Sequence, residues 1–203
     1  MKKELKFIHI TKTGGTSIED CGEKKGVFFG RNDSSYNIPN KSHSVNPWHT
    51  CFPLFSKEYK TKYDWFIVVR NPYDRIVSEF YCKWGGIGNS TVSITKELFN
   101  LFIKYRIITR SSIGDHYTEQ HLYIEEDPDV KIHILKFENL KEEFDALMKV
   151  YNIDLVLDTQ SNAGINKLYS VHDLSCEVIS LINEVYKKDF EMFGYTMICP
   201  KNM

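Results

Sequence analysis

The stretch Phe7-Ile8-His9-Ile10-Thr11-Lys12-Thr13-Gly14-Gly15-Thr16-Ser17-Ile18-Glu19 decides the fold. Phe7, Ile8 and Ile10 read as a buried strand, Gly14 and Gly15 let the backbone come close to a ligand, and Thr16-Ser17-Ile18-Glu19 opens a helix. Amides left unpaired at a helix start, helped by the helix dipole, favour an anion. Lys12 adds a point charge and Thr13, Thr16 and Ser17 add hydroxyls, so this one stretch carries most of a phosphate cradle. An ordinary strand-to-helix turn would need only the glycines. The nucleotide-hydrolase P-loop places its lysine directly after the last glycine; here Lys12 precedes both glycines, which weakens an ATP or GTP reading.

A second stretch repeats the pattern: Trp65-Phe66-Ile67-Val68-Val69-Arg70-Asn71-Pro72-Tyr73-Asp74-Arg75-Ile76-Val77-Ser78. Trp65 to Val69 is a continuous apolar run of strand length, and Asn71 before Pro72 has the form of an N-cap with proline at the first helical position. Arg70 therefore stands at the carboxyl end of a strand, where open α/β sheets bind ligands. Ser78 follows roughly two helical turns later, close enough in principle to share an anion with Arg70.

Phe7 to Ile10, Trp65 to Val69 and Ile132 to Phe137 read as strands, each followed by a helix-like stretch, which implies parallel strands with crossover helices. Gly26 to Gly30 is a candidate short strand. Leu140, Phe144, Leu147, Met148 and Tyr151 recur at helical spacing, as do Val178, Ile179, Ile182, Val185 and Tyr186, and both sets read as core faces. Residues 31–62 are polar and turn-rich, a loop with room for one helix and a place to cover an acceptor.

A chain of 203 residues with 42% hydrophobic content can bury one core, and a net charge of −1 gives no field for nucleic acid. The charged start Met1-Lys2-Lys3-Glu4-Leu5-Lys6 leads directly into the first strand with no long apolar segment, so a soluble, cytoplasmic protein without membrane association is expected. The five cysteines are odd in number and widely spread, which fits reduced thiols. No Cys-x-x-Cys or clustered His/Cys set appears, so no metal is expected, and His116 and His121 read as polar or surface groups.

Lys12-Thr13-Gly14-Gly15-Thr16-Ser17, together with Val69-Arg70-Asn71-Pro72-Tyr73-Asp74-Arg75 and Ser78, resembles the two cofactor motifs of the sulfotransferases that use 3'-phosphoadenosine 5'-phosphosulfate (PAPS). The likeness is to the branch holding carbohydrate sulfotransferases, including the heparan 2-O type, and small soluble microbial or viral relatives. Gly114 to Gln120 is similar to that branch's His-x-x-x-Gln stretch, Leu135 to Leu140 to its later strand-to-helix stretch, and Val185 to Tyr195 to its closing helix. The resemblance implies an α/β, three-layer P-loop-like fold with a central parallel sheet flanked by helices, in a single domain over residues 1–203. It further implies PAPS as donor and adenosine 3',5'-bisphosphate as product. Lys12 would meet the leaving oxygen, Thr13 to Ser17 would form the cradle, and Arg70 with Ser78 would hold the 3'-phosphate. No metal enters this scheme, residues in Gln160 to Lys167 would close over the adenosine, and the partner is a small-molecule or glycan acceptor.

Four residues compete as base for the acceptor hydroxyl. His43, between the two motifs where the branch carries a histidine, ranks first, with His49 its neighbouring rival. Glu19, or Asp20 beside it, ranks second, because a carboxylate in the first turns of a helix also complements the dipole. His9, within the strand, reads as a packed core residue. Tyr36, Trp48, Trp84, Tyr105 and Tyr117 are candidates to stack on an acceptor, and Lys83, Arg106 and Arg110 to hold an anionic one. Two other classes remain open: a nucleotide or metabolite kinase, which would need Mg²⁺ and prefer ATP, and a non-catalytic nucleotide-binding module.

Overall fold

The computed structural model describes residues 2–31, 49–88, 94–110, 116–124, 127–157 and 167–200. Backbone contacts gather the chain into two compact units, Met1–Arg70 with Leu122–Gly164, and Asn71–His121 with Ile165–Met203.

The first unit holds a parallel sheet of order β1 (Leu5–Ile8), β2 (Asp64–Val69) and β3 (Ile132–Lys136). Leu5 to Ile8 pair with Asp64 to Ile67, and Trp65 to Val69 pair with Ile132 to Lys136, so all three strands leave the sheet at the same edge. Every residue of β2 is buried, as expected for a central strand covered on both faces. Phe66 and Val68 share one face with Phe7, Leu135 and the apolar sides of α1 (Gly15–Glu23) and α5 (Leu140–Tyr151). Trp65 shows the other face: its ring meets Phe52, Phe55, Tyr59 and Tyr63, and its indole N–H donates to the Lys60 carbonyl at 2.9 Å, next to α2 (Lys57–Lys62). The expected α/β fold with a central parallel sheet and flanking helices is thus present.

Boundaries moved where side chains outside the strand decided them. β1 begins two residues before the expected start and ends at Ile8, because Thr13 and Lys12 already turn the chain below Ile10. Gly26 to Gly30 makes no full strand; Gly30 is a lone bridge residue, and the Phe29 carbonyl accepts from the Phe7 amide at 3.1 Å. Tyr151 joins the core stripe of α5 yet spends its hydroxyl on the sheet, donating to Asp64 at 2.7 Å and accepting from His133 at 2.8 Å.

The second unit is helical: α3 (Pro72–Phe80), α4 (Lys96–Ile108), α6 (Cys176–Val185) and α7 (Lys187–Phe193). The N-cap read at Asn71 is formed, its side-chain oxygen accepting from the Tyr73 amide at 3.0 Å with Pro72 behind it. Tyr73, Ile76, Val77 and Phe80 from α3 pack with Phe99, Ile103 and Ile107 from α4 and Val178, Ile179 and Ile182 from α6. The closing stretch Val185 to Tyr195 holds α7, set off from α6 by a break at the fully buried Tyr186, whose hydroxyl donates to the Tyr117 carbonyl. Among the described residues no helix is long and apolar enough to cross a membrane, and none of the five cysteines is in a disulfide.

Phe144 is fully buried with its ring against both Phe29 and Phe66. Phe144→Ala is expected to cost about 3–5 kcal/mol in urea denaturation, whereas Val150→Ala on the exposed side of the same helix should stay within about 0.5 kcal/mol.

Candidate active site

The loop between β1 and α1 is built from its backbone. Lys12 takes a left-handed conformation at φ 59° and Gly14 another at φ 88°, and the second is the one that needs glycine. A Cβ on Gly14 would lie 2.7 Å from the Leu140 side chain, and one on Gly15 would lie 2.2 Å from the His9 ring. The loop is therefore seated on Leu140 and Phe137 on one side and on His9 on the other. Gly14 caps α1 without a side chain, its carbonyl accepting from the Ser17 and Ile18 amides at 3.0 and 3.4 Å. The first-turn amides ahead of them are those that helix geometry leaves for an anion. Thr13 is fully buried and its hydroxyl donates to the Ile10 carbonyl at 2.9 Å, so its hydrogen holds the loop. Lys12 and Thr16 are half-buried, Ser17 is buried, and the Lys12 ammonium makes no ion pair among the described residues.

Arg70 reaches this loop from the end of β2. Its Nη1 donates to the Lys12 carbonyl at 3.2 Å, and its guanidinium lies over the Phe137 ring at 4.1 Å. The two motifs, with Lys12 and Arg70 58 residues apart in the sequence, thus meet at neighbouring strand ends, with Phe137 of the third strand-to-helix stretch beneath the guanidinium. Ser78 is buried on α3 in the second unit, and its pairing with Arg70 stays an expectation from the motif.

Behind the loop stands a cluster the sequence only partly revealed. Glu19 on α1 is 1% exposed; its Oε1 accepts from the Arg31 backbone amide at 3.1 Å and lies 3.9 Å from His9 Nδ1, while its Oε2 has no hydrogen-bond partner among the described residues. Burial, only partly offset by Arg31, raises the Glu19 pKa to about 7. Arg31 bonds Glu23 at 2.8 Å and also Asp20, and these bonds hold it firmly charged. Asp20 is consequently engaged by a cation. Burial first, then His49 and Arg31, pull the His9 pKa well below its ordinary value, so His9 is the neutral packed residue expected, its ring stacked on Phe7. His49 Nδ1 donates to the His9 carbonyl at 2.7 Å, which leaves the lone pair of a neutral ring on Nε2.

His43, Tyr36 and Trp48 lie outside the described residues, as do all but Lys167 of Gln160 to Lys167. Of the other acceptor candidates, Trp84 and Tyr105 are exposed, but Tyr117 is fully buried beneath the Arg106 guanidinium and packs in the core. Arg110 is bound to Glu119 and to the Ile107 carbonyl. His121 donates to Asp189 at 2.8 Å. His116 donates to Glu79 at 3.0 Å, and although burial opposes it, hydrogen bonds with Cys82 and Glu79 raise its pKa to about 9. Arg31 escaped the sequence reading, although three carboxylates within five residues, Glu19, Asp20 and Glu23, signalled the need for a cation nearby.

At the carboxyl ends of this parallel sheet a glycine-opened helix start, a lysine with no ion pair among the described residues and an arginine stand together, a donor set of the kind that suits an anion. The profile of the sulfotransferase family matches residues 1–196, running through both units, and the chain belongs to that family. Sulfuryl transfer is accordingly its class of chemistry. No curated protein and no solved structure matches the chain.

The buried Glu19 has a consequence for stability. Its folded pKa of about 7 stands above the ordinary 4.5, so its favourable contribution is complete below pH 4.5 and lost as the pH rises through about 7. Glu19→Gln should therefore match the wild type in chemical denaturation at pH 4 and exceed it at pH 8 by up to about 3 kcal/mol; equal stability at both pH values would contradict the burial described.

Proposed function

We propose that residues 1–203 form a single sulfotransferase domain that moves a sulfuryl group from PAPS to an acceptor hydroxyl on a carbohydrate. The observation that carries this reading is the bond from Arg70 to the Lys12 carbonyl, which sets two cations at adjacent strand ends beside the start of α1. A doubly phosphorylated nucleotide suits these residues, since Gly14 and Gly15 keep side chains out of the loop and the Lys12 ammonium is uncommitted among the described residues. Thr13 to Ser17 bind the 5'-side through first-turn amides and the Thr16 and Ser17 hydroxyls. Arg70 binds the 3'-phosphate, which separates this donor from ATP.

When bound, the donor supplies a sulfuryl group whose sulfur gains the acceptor oxygen as its bond to the 5'-phosphate oxygen breaks. Lys12 meets the negative charge that develops on that departing oxygen, and such preorganised charge is usually the largest catalytic contribution. A base takes the acceptor's proton. Glu19 fits the task by its pKa near 7 and its unpartnered Oε2; His43 is the base that the family resemblance implies. The carbohydrate acceptor rests on the resemblance to the carbohydrate branch.

Calorimetric titration with adenosine 3',5'-bisphosphate, ATP and AMP tests the donor. The bisphosphate should bind best, and Arg70→Ala, with its fold checked by circular dichroism, should lose about 2–5 kcal/mol of that binding while AMP affinity changes little. Preference for ATP with Mg²⁺ would turn the reading to a kinase, and bisphosphate binding without transfer to any glycan or phenol would turn it to a non-catalytic module. The pH dependence of transfer separates the bases: with Glu19, kcat/KM climbs through pH about 7 and the climb vanishes in Glu19→Gln, whereas with His43 it vanishes in His43→Ala.

A further inference from the structure

The second unit carries a cluster to which the transfer scheme above gives no role. Glu79, in the last turn of α3, and Cys82, just past its end, come together with His116 from a segment more than thirty residues on. One carboxylate oxygen, the thiol sulfur and one ring nitrogen lie within 4.8 Å of one another. His116 Nδ1 stands 3.0 Å from Glu79 Oε2, close to the edge of a tetrahedral coordination shell, roughly 3.3 Å for metal–ligand bonds of about 2 Å. Glu79 is fully buried, and its second oxygen, Oε1, has no hydrogen-bond partner among the described residues. A buried carboxylate half without a partner is costly unless a cation completes it.

The surrounding backbone holds these donors in place. The Cys82 amide donates to the Glu79 carbonyl at 2.9 Å and the Gly86 amide to the Cys82 carbonyl at 2.8 Å, which ties the turn to α3. Arg75, 1% exposed, donates to the His116 and Thr118 carbonyls, each at 2.9 Å, and fastens the histidine segment to the same helix. At Gly85 a Cβ would lie 2.8 Å from His116, so glycine is what lets the ring approach the turn.

We propose that Glu79, Cys82 and His116 bind a divalent transition metal, Zn²⁺ foremost, through one oxygen, one sulfur and one nitrogen. This donor set is one that zinc accepts and that Mg²⁺ and Ca²⁺, which take oxygen ligands, do not favour. The protons held on the thiol and on the ligating ring nitrogen leave to solvent as the metal binds, so that the ligands are thiolate, neutral imidazole and carboxylate. Three protein ligands leave a fourth position for water or a further donor. In this role the ion staples the end of α3 to the His116 segment, and Arg75, Gly85 and Gly86 are positioning residues.

Metal-stripped full-length protein titrated with Co²⁺ tests the site. One equivalent should produce a thiolate-to-cobalt charge-transfer band that Zn²⁺ abolishes; the band should be lost in Cys82→Ser and in His116→Ala and kept in Cys51→Ser. No band, or a band that survives Cys82→Ser, overturns the site. Alkylation of the wild type by iodoacetamide, followed by peptide mass spectrometry, gives a readout independent of any variant's folding. Zn²⁺ should slow the labelling of Cys82 and leave that of the exposed Cys176 unchanged; labelling of Cys82 at the same rate with and without Zn²⁺ shows a free nucleophilic thiol and refutes the metal. Neither readout depends on sulfuryl transfer.

Discussion

The bond between the Arg70 guanidinium and the Lys12 carbonyl is the contact on which the site depends. It exists because β1 and β2 are parallel neighbours in register, so both chains leave the sheet at one edge, and because Lys12 at φ 59° presents its carbonyl where Arg70 can reach it. The aromatic face of Phe137, delivered by β3, completes the seat for the guanidinium. Three strand ends therefore converge on one small loop. Substitution in any of them acts on the other two through packing: a side chain on Gly14 would strike Leu140 and Phe137, which in turn support Arg70.

Electrostatics in the first unit are divided between the front and the back of that loop. In front stand the Lys12 ammonium and the Arg70 guanidinium. Behind it, Arg31 is saturated by Glu23 and Asp20, and Glu19, with only a backbone amide on one oxygen, is left at the edge of ionisation. A carboxyl so placed changes charge near neutrality, where an acid elsewhere on the surface of this chain would stay ionised. Its neighbour His9 is driven to the neutral form by the same burial, so the floor beneath Gly15 carries an uncharged ring.

Much of this was legible in the sequence where local chemistry and tertiary role agree. β2 was readable because a strand buried on both faces must be a continuous apolar run, and the start of α3 was readable because Asn71-Pro72 states its cap directly. α4 was not foreseen: Phe99, Ile103 and Ile107 face the core, but Leu98, Leu101, Tyr105 and Ile108 are exposed, so apolar residues fall on two sides and no single stripe stands out. The stretches Val178 to Tyr186 and Val185 to Tyr195 were legible as helical, but the break at Tyr186 was not, because Val185 and Tyr186 continue the spacing of α6; in the fold Tyr186 lies in the apolar core with its hydroxyl on the Tyr117 carbonyl. The Arg70 to Lys12 meeting could be anticipated from two strand-end motifs and the carboxylates of α1 hinted at a cation such as Arg31, whereas the approach of His116 to Glu79 and Cys82 depends on chain folding across more than thirty residues, to which no local spacing points.

Phosphorus NMR of adenosine 3',5'-bisphosphate bound to the wild type, to Lys12→Met and to Arg70→Ala measures the two grips separately. If the strand ends hold opposite phosphates of one nucleotide, both resonances shift on binding, the 5' shift is reduced in Lys12→Met alone, and the 3' shift is reduced in Arg70→Ala alone. Loss of the same resonance shift in both variants, or of neither, would show that Lys12 and Arg70 do not divide a doubly phosphorylated ligand between them.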